Sequence, residues 1–254
     1  MSWKKVTIDS GGVRLCVFDS GGPERPVLLI HGLGLTRRSW NRVARRLRNR
    51  FRVVTFDLRG HGASSRAADV SPPAFLGDVE AVVSALALQD VVLVGHSLGG
   101  HLAVAYAADH AGCAGVVAVE GGVPVDLPPA DPALMAPPGP VASVVAAVSR
   151  LLRLGSSIPY ERMQRLVDEH AGWVRGLGDA YDRITCPVLV VLGAEADPVP
   201  QGVEIRDAVR DGARRLQAAH PEVAVEWLSG GHLIPLQRPA ELAAAIGSFV
   251  DRAS

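Results

Sequence analysis

From residue 26 onward the chain alternates short β-rich apolar runs with helical patterns, and this leaves few folds open. "PVLLIHG" (26–32) is a continuous apolar run that stops at glycine, which suits a strand buried on both faces. "RVVTFDLRG" (52–60), "DVVLVG" (90–95), "AGVVAVEGG" (114–122), "PVLVVLG" (187–193) and "VAVEWLSGG" (223–231) read as further strands. Helical patterns lie between and after them: an arginine-rich helix within the run 37–52, and helices at 72–88, 98–110, 203–219 and 239–251. Ahead of them, "KKVTIDS" and "VRLCVFDSGG" predict a hairpin around Ser10, Gly11 and Gly12. The expected fold is α/β, with a mostly parallel central sheet, right-handed crossovers and helices on both faces. Ligands in such folds bind where the carboxyl ends of the strands open.

One segment breaks the rhythm. Residues 123–140 are rich in proline and contain no strand pattern. Then 141–154 places Val141, Val144, Val145, Val148, Leu151 and Leu152 on one helical face, and 160–171 predicts a second helix. The expected division is a core of 1–123 and 184–254 with a small helical cap, 124–183, folded over the sheet.

Charge narrows the partners. Lysine and arginine total 26, aspartate and glutamate 26, so no global field favours nucleic acid or an anionic membrane. The run 37–52 carries eight arginines, but Trp40, Val43, Ala44 and Leu47 form an apolar stripe beneath them. It reads as a solvated helix face rather than a nucleic-acid patch. No secretory signal and no membrane-length apolar stretch is visible. Cys16, Cys113 and Cys186 are far apart, with no metal-ligand spacing. The expectation is a cytoplasmic protein with a small-molecule substrate, without nucleic-acid or membrane partner, its homodimerisation left open.

The chemistry centres on Gly95-His96-Ser97-Leu98-Gly99, between the strand 90–95 and a helix of small residues. A serine there projects its hydroxyl from a tight turn at the sheet's carboxyl edge, beside the N–H groups of a helix N-terminus. A hydroxyl is a poor nucleophile without a base. His232, in the glycine-rich loop "SGGHLIP", is the candidate. The base in turn needs a carboxylate. Asp197, in "AEADPVP", follows the serine and precedes the histidine. Glu195 is closer to its strand end and less suited, and Glu120, ending "VVAVE", is the rival acid. The backbone N–H groups of Leu33 and Leu98 are candidates for an oxyanion hole. Asp57, Arg59 and His61 read as a polar turn bracing the edge. His96 and His101 read as packing or hydrogen-bonding residues, with His96 also able to shape the pocket.

The stretches "LLIHGLG", "FDLRGHGAS", "LVGHSLGG", "VLGAEADPVP" and "SGGHLIPLQRP" together resemble the α/β-hydrolase superfamily, in its order, from about residue 26 to the end. The resemblance implies Ser97 as nucleophile, His232 as base, Asp197 as acid, and the Leu33 and Leu98 amides as oxyanion hole. It matches 124–183 to a cap and implies no metal or organic cofactor. Some relatives take the acid from the strand of Glu120, so that alternative stays open. Relatives that cleave carbon–halogen bonds or epoxides generally carry aspartate where this chain has Ser97. The expected function is a serine hydrolase of a small, partly hydrophobic ester, lactone or related acyl compound. The alternatives are another serine-triad reaction (carbon–carbon hydrolase, hydroxynitrile lyase, cofactor-free haloperoxidase) and a receptor that uses the pocket to bind a signal.

Overall fold

The computed structural model describes residues 3–125, 155–197 and 202–253. Eight strands form one sheet among them: β1 (Lys4–Ser10), β2 (Val13–Asp19), β3 (Pro26–Ile30), β4 (Arg52–Asp57), β5 (Val91–His96), β6 (Cys113–Val119), β7 (Val188–Gly193) and β8 (Ala224–Leu228). Their spatial order is β1-β2-β4-β3-β5-β6-β7-β8. β1 and β2 form the expected antiparallel hairpin, with Ser10 opposite Val13 and Gly11 and Gly12 both at positive φ. β2 meets β4 antiparallel, and from β4 to β8 every pairing is parallel. The β-rich, helix-alternating sequence therefore folds as its pattern predicts.

The described helices are α1 (Asn41–Leu47), α2 (Pro72–Ala85), α3 (Leu98–Asp109), α4 (Tyr160–Arg175), α5 (Gly178–Tyr181), α6 (Gly202–Ala219), α7 (Ile234–Gln237) and α8 (Pro239–Arg252). A 3₁₀ turn, Arg37–Trp40, precedes α1 and is capped by the Thr36 hydroxyl. The arginine-rich helix thus ends at Leu47, and Arg48, Arg50 and Arg52 of the run lie beyond it. Trp40, Val43, Ala44 and Leu47 are buried as predicted, while Arg42, Arg45 and Arg46 face solvent. The second helix expected at 160–171 is α4. The helix expected at 141–154 lies outside the described residues, as does most of 123–140.

Strand side chains alternate between two cores. On β3, Leu28 and Ile30 join one core with Phe75 and Val79 of α2 and Leu102 of α3. Val27 and Leu29 join the other with Val43 of α1 and Leu242 and Ile246 of α8. Burial on both faces explains the unbroken apolar runs. Leu166 and Val174 attach α4 to the first core.

A buried ion pair fastens the loop after β4 to α2. The Asp78 carboxylate, wholly buried, accepts from the Arg59 backbone N–H at 2.9 Å and from its guanidinium at 3.0 and 2.7 Å. The Ser10 hydroxyl accepts a further guanidinium bond at 3.1 Å. Removing one partner strands the other charge in the interior. Asp78→Ala is expected to cost about 3–5 kcal/mol, read as a fall in the urea midpoint. A loss below about 1 kcal/mol would show that the pair can be dispensed with.

Candidate active site

The carboxyl ends of β3, β5, β6 and β7 gather the polar residues. Ser97 joins β5 to α3 at φ 53° and ψ −118°, a conformation that L side chains rarely adopt. Its N–H donates to the Val119 carbonyl at 2.8 Å, and its carbonyl accepts from Gly100 at 2.9 Å and His101 at 3.2 Å. Close main-chain approach holds the turn. A side chain at Gly99 would collide with the Ile30 carbonyl, and one at Gly121 with the Ser97 carbonyl. Strain of about 1–3 kcal/mol persists in a fold only where the surroundings over-determine it.

The loop after β3 abuts this turn, since a side-chain carbon at Gly32 would stand 3.1 Å from the Ser97 β-carbon. Two buried imidazoles brace that loop. His31 Nε2 accepts the Leu58 N–H at 3.0 Å, so its Nδ1–H faces the Gly32 carbonyl at 2.8 Å. His61 Nε2 accepts the Gly34 N–H at 3.2 Å, so its Nδ1–H donates to the Arg59 carbonyl at 2.8 Å. The N–H groups of Leu33 and Leu98 carry no hydrogen bond among the described residues. The polar turn of Asp57, Arg59 and His61 thus braces the edge, and Asp57 does so by accepting the Arg37 and Ala63 N–H groups.

His232 is held at three points. The Asp197 carboxylate accepts its backbone N–H at 3.0 and 3.2 Å. His96 Nε2–H donates to its carbonyl at 2.7 Å. Its ring Nδ1 stands 3.2 Å from Glu120 Oε2. Chain order favours Asp197 as the carboxylate beside the imidazole, but the structure places Glu120 there. The physical reason is backbone direction: Glu120 leaves β6 at φ 50°, its other oxygen accepts the Gly193 N–H, and its side chain spans β7 toward the ring. Asp197 instead meets the main chain, and a side chain at Gly231 would collide with its carboxylate. Glu195 accepts the Gly230 N–H at 3.1 Å, so it fixes the same loop.

Ser97, Glu120, Asp197 and His232 line one cavity of about 250 Å³. Val123, Val125, Val174 and Val209 give it apolar walls, and His101 and His170 also line it. Sequence reading missed His170, which carries no motif, and the bond from His96 to the loop of His232. Among the described residues no cluster of three or more metal-type ligands occurs, and no helix is long and apolar enough to cross a membrane.

A sequence model of the alpha/beta hydrolase family matches residues 27–245. An sn-1-specific diacylglycerol lipase of Xenopus tropicalis is 30% identical over 155 residues, 60% of this chain and 46% of that protein. A fluoroacetate dehalogenase of Burkholderia is 35% identical over 115 residues, 42% of this chain and 37% of that one. A protein of Mycobacterium bovis is 41% identical over 91 residues, 35% of this chain and 27% of its own. The chain thus spans about a quarter to a half of the length of these curated relatives. Two solved structures share the fold over nearly their whole length. The thioesterase domain of the curacin biosynthetic pathway has TM-score 0.73 at 21% identity, covering 97% of this chain and 99% of that one. A thermophilic esterase from Thermogutta terrifontis has TM-score 0.71 at 23% identity, covering 98% and 99%.

The bracing histidines set a pH limit. Burial lowers His31 to about 4, and burial with the neighbouring His31 lowers His61 to about 3. An unfolded imidazole titrates near 6.5. The unfolded chain therefore binds more protons between these values. Stability is complete above about pH 6.5 and drains as pH falls toward 4, by up to ~1.4 kcal/mol per pH unit for each histidine. Urea midpoints from pH 7.5 to 4.5 should fall along this course. His61→Gln, which cannot be protonated, should flatten it; an unchanged slope in both His61→Gln and His31→Gln would refute the cause.

Proposed function

The chain belongs to the alpha/beta hydrolase family, and from that premise we propose that it is a serine hydrolase of a small, partly hydrophobic carboxylic ester, lactone or related acyl compound. The observation that carries this reading is the strained Ser97 sharing one cavity with a histidine whose Nδ1 lies against Glu120. Ser97 Oγ attacks the carbonyl carbon while His232 Nε2 takes its proton. Glu120 accepts from Nδ1–H, which fixes the tautomer and stabilises the imidazolium. The N–H groups of Leu33 and Leu98, without a hydrogen bond among the described residues, receive the developing oxyanion. Collapse expels the alcohol, which takes the proton from His232. Water, deprotonated by the same histidine, then attacks the acyl-enzyme and frees the acid. No metal or organic cofactor enters this sequence.

Serine in place of a carboxylate at the turn disfavours carbon–halogen and epoxide cleavage, although a dehalogenase is among the relatives. The valine walls support a partly apolar substrate. α4 contributes His170 and Val174 to the cavity wall, which supports reading 124–183 as a cap over the site.

Intact mass after brief exposure to a fluorophosphonate tests the nucleophile. One adduct is expected on the native chain and none on Ser97→Ala; equal labelling of both removes Ser97 from the role. The two carboxylates separate by kinetics on an activated ester. Glu120→Gln should lower kcat by about 10³–10⁴, the scale of losing the carboxylate behind a catalytic histidine. Asp197→Asn keeps an acceptor for the His232 N–H and should cost about tenfold or less. The reverse ranking would return the acid's role to Asp197.

A further inference from the structure

Val92 and Val94 pack one face of β5 into the core, and the next residue along that face is His96. It is only 1% exposed. Its ring stands edge to face with Trp40 at 6.5 Å and tilted against His232 at 5.0 Å. A polar ring on such a face is unfavourable unless a hydrogen bond compensates its burial. One does: the bond of 2.7 Å from Nε2–H to the His232 carbonyl. Burial and the neighbouring His232 lower the ring to about 3, so near pH 7 it is neutral and carries its one proton on Nε2. Nδ1 has no partner among the described residues and lies against the loop after β3, where a side-chain carbon at Gly32 would stand 2.9 Å from it. The ring's one polar tie therefore goes to the residue that serves as base in the proposed reaction.

That tie falls where the backbone needs it. His232 lies in a turn between β8 and α7, so no strand ladder holds its peptide groups. Side chains hold them instead. Asp197 accepts the N–H at 3.0 and 3.2 Å, and His96 donates to the carbonyl. With both groups held, the ring can rest with Nδ1 at 3.2 Å from Glu120 Oε2. Sheet register adds the other half. His96 stands opposite Val119, so Ser97 and Glu120 are the next residues on the two strands. The bond from His96 thus ties the base to the point where the serine and the carboxylate leave the sheet. His96 is not among the described residues lining the cavity, so its effect on the site runs through His232.

We propose that His96 is a positioning residue for the reaction: by holding the His232 carbonyl it sets the imidazole toward Ser97 Oγ and against Glu120 together. The inference rests on the serine-hydrolase reading and adds to it a residue behind the base. Misplacing a reacting group by about 1 Å costs about 10²-fold in rate, which is the scale on which this bond acts.

The rate at which Ser97 takes a fluorophosphonate, followed by intact mass, reads the positioning without knowledge of the substrate, because the serine is a weak nucleophile until the base acts on it. His96→Leu keeps an apolar body and loses the donor; it should label about 10²-fold more slowly than the native chain. Glutamine carries its amide nitrogen as many bonds from the backbone as imidazole Nε2, so His96→Gln should come within about tenfold of the native rate. Asparagine is one bond shorter, and His96→Asn should stay slow. Added to Glu120→Gln, His96→Leu should slow labelling far less than it does alone, because residues that act as a unit are not additive. Native-rate labelling of His96→Leu overturns the proposal. So does equal slowing by the glutamine and leucine variants, or an equal further loss with and without Glu120, since each marks packing rather than positioning. If His96→Leu does not fold, the glutamine and asparagine variants carry the test, and a glutamine variant that also fails to fold overturns it. Failure of native Ser97 to take the fluorophosphonate is a different result and removes the hydrolase reading itself.

Discussion

The turn at Ser97 depends on main chains packed closer than side chains allow. Gly99 lies against the Ile30 carbonyl and Gly121 against the Ser97 carbonyl. These contacts draw the ends of β3, β5 and β6 into one crowded edge. The strain at Ser97 and the left-handed backbone at Glu120 are sustained by that crowding. The two positions sit on adjacent strands, so the residue that presents the hydroxyl and the residue that reaches the imidazole are fixed by one piece of packing. The rest of the site is arranged around it: the β3 loop on one side, the His232 loop on the other.

Three carboxylates serve one loop in different ways. Asp197 and Glu195 bind its N–H groups, at His232 and Gly230, and Glu120 binds the ring. Main-chain anchoring and ring orientation are thereby assigned to separate residues. His96 adds a link from β5 itself, joining the serine's strand to the histidine's carbonyl.

The fold was legible in the sequence because burial on both faces writes itself as unbroken apolar runs, and β3 to β7 carry such runs. Ser97 and His232 were legible because turn chemistry marks them: glycines crowd both. The carboxylate was less so. Glu120 and Asp197 both follow strands, and chain order does not encode which side chain crosses β7 and which turns to the main chain. His170 was invisible for another reason. Its place at the cavity depends on how α4 packs across α3, a tertiary fact with no local signature.

The neutral histidines also bear on where protons can go. His31, His61, His96 and His170 are held at about 3 to 4 by burial, and His101 well below its ordinary value. Around His232, then, there is no second base able to accept a proton near pH 7 from this set of rings. In the proposed reaction the proton lifted from Ser97 has no neighbouring imidazole to hop to. It stays on His232 until the departing alcohol claims it. On that proposed course the buried rings act as proton insulation, keeping the acid and base halves of one turnover on a single nitrogen.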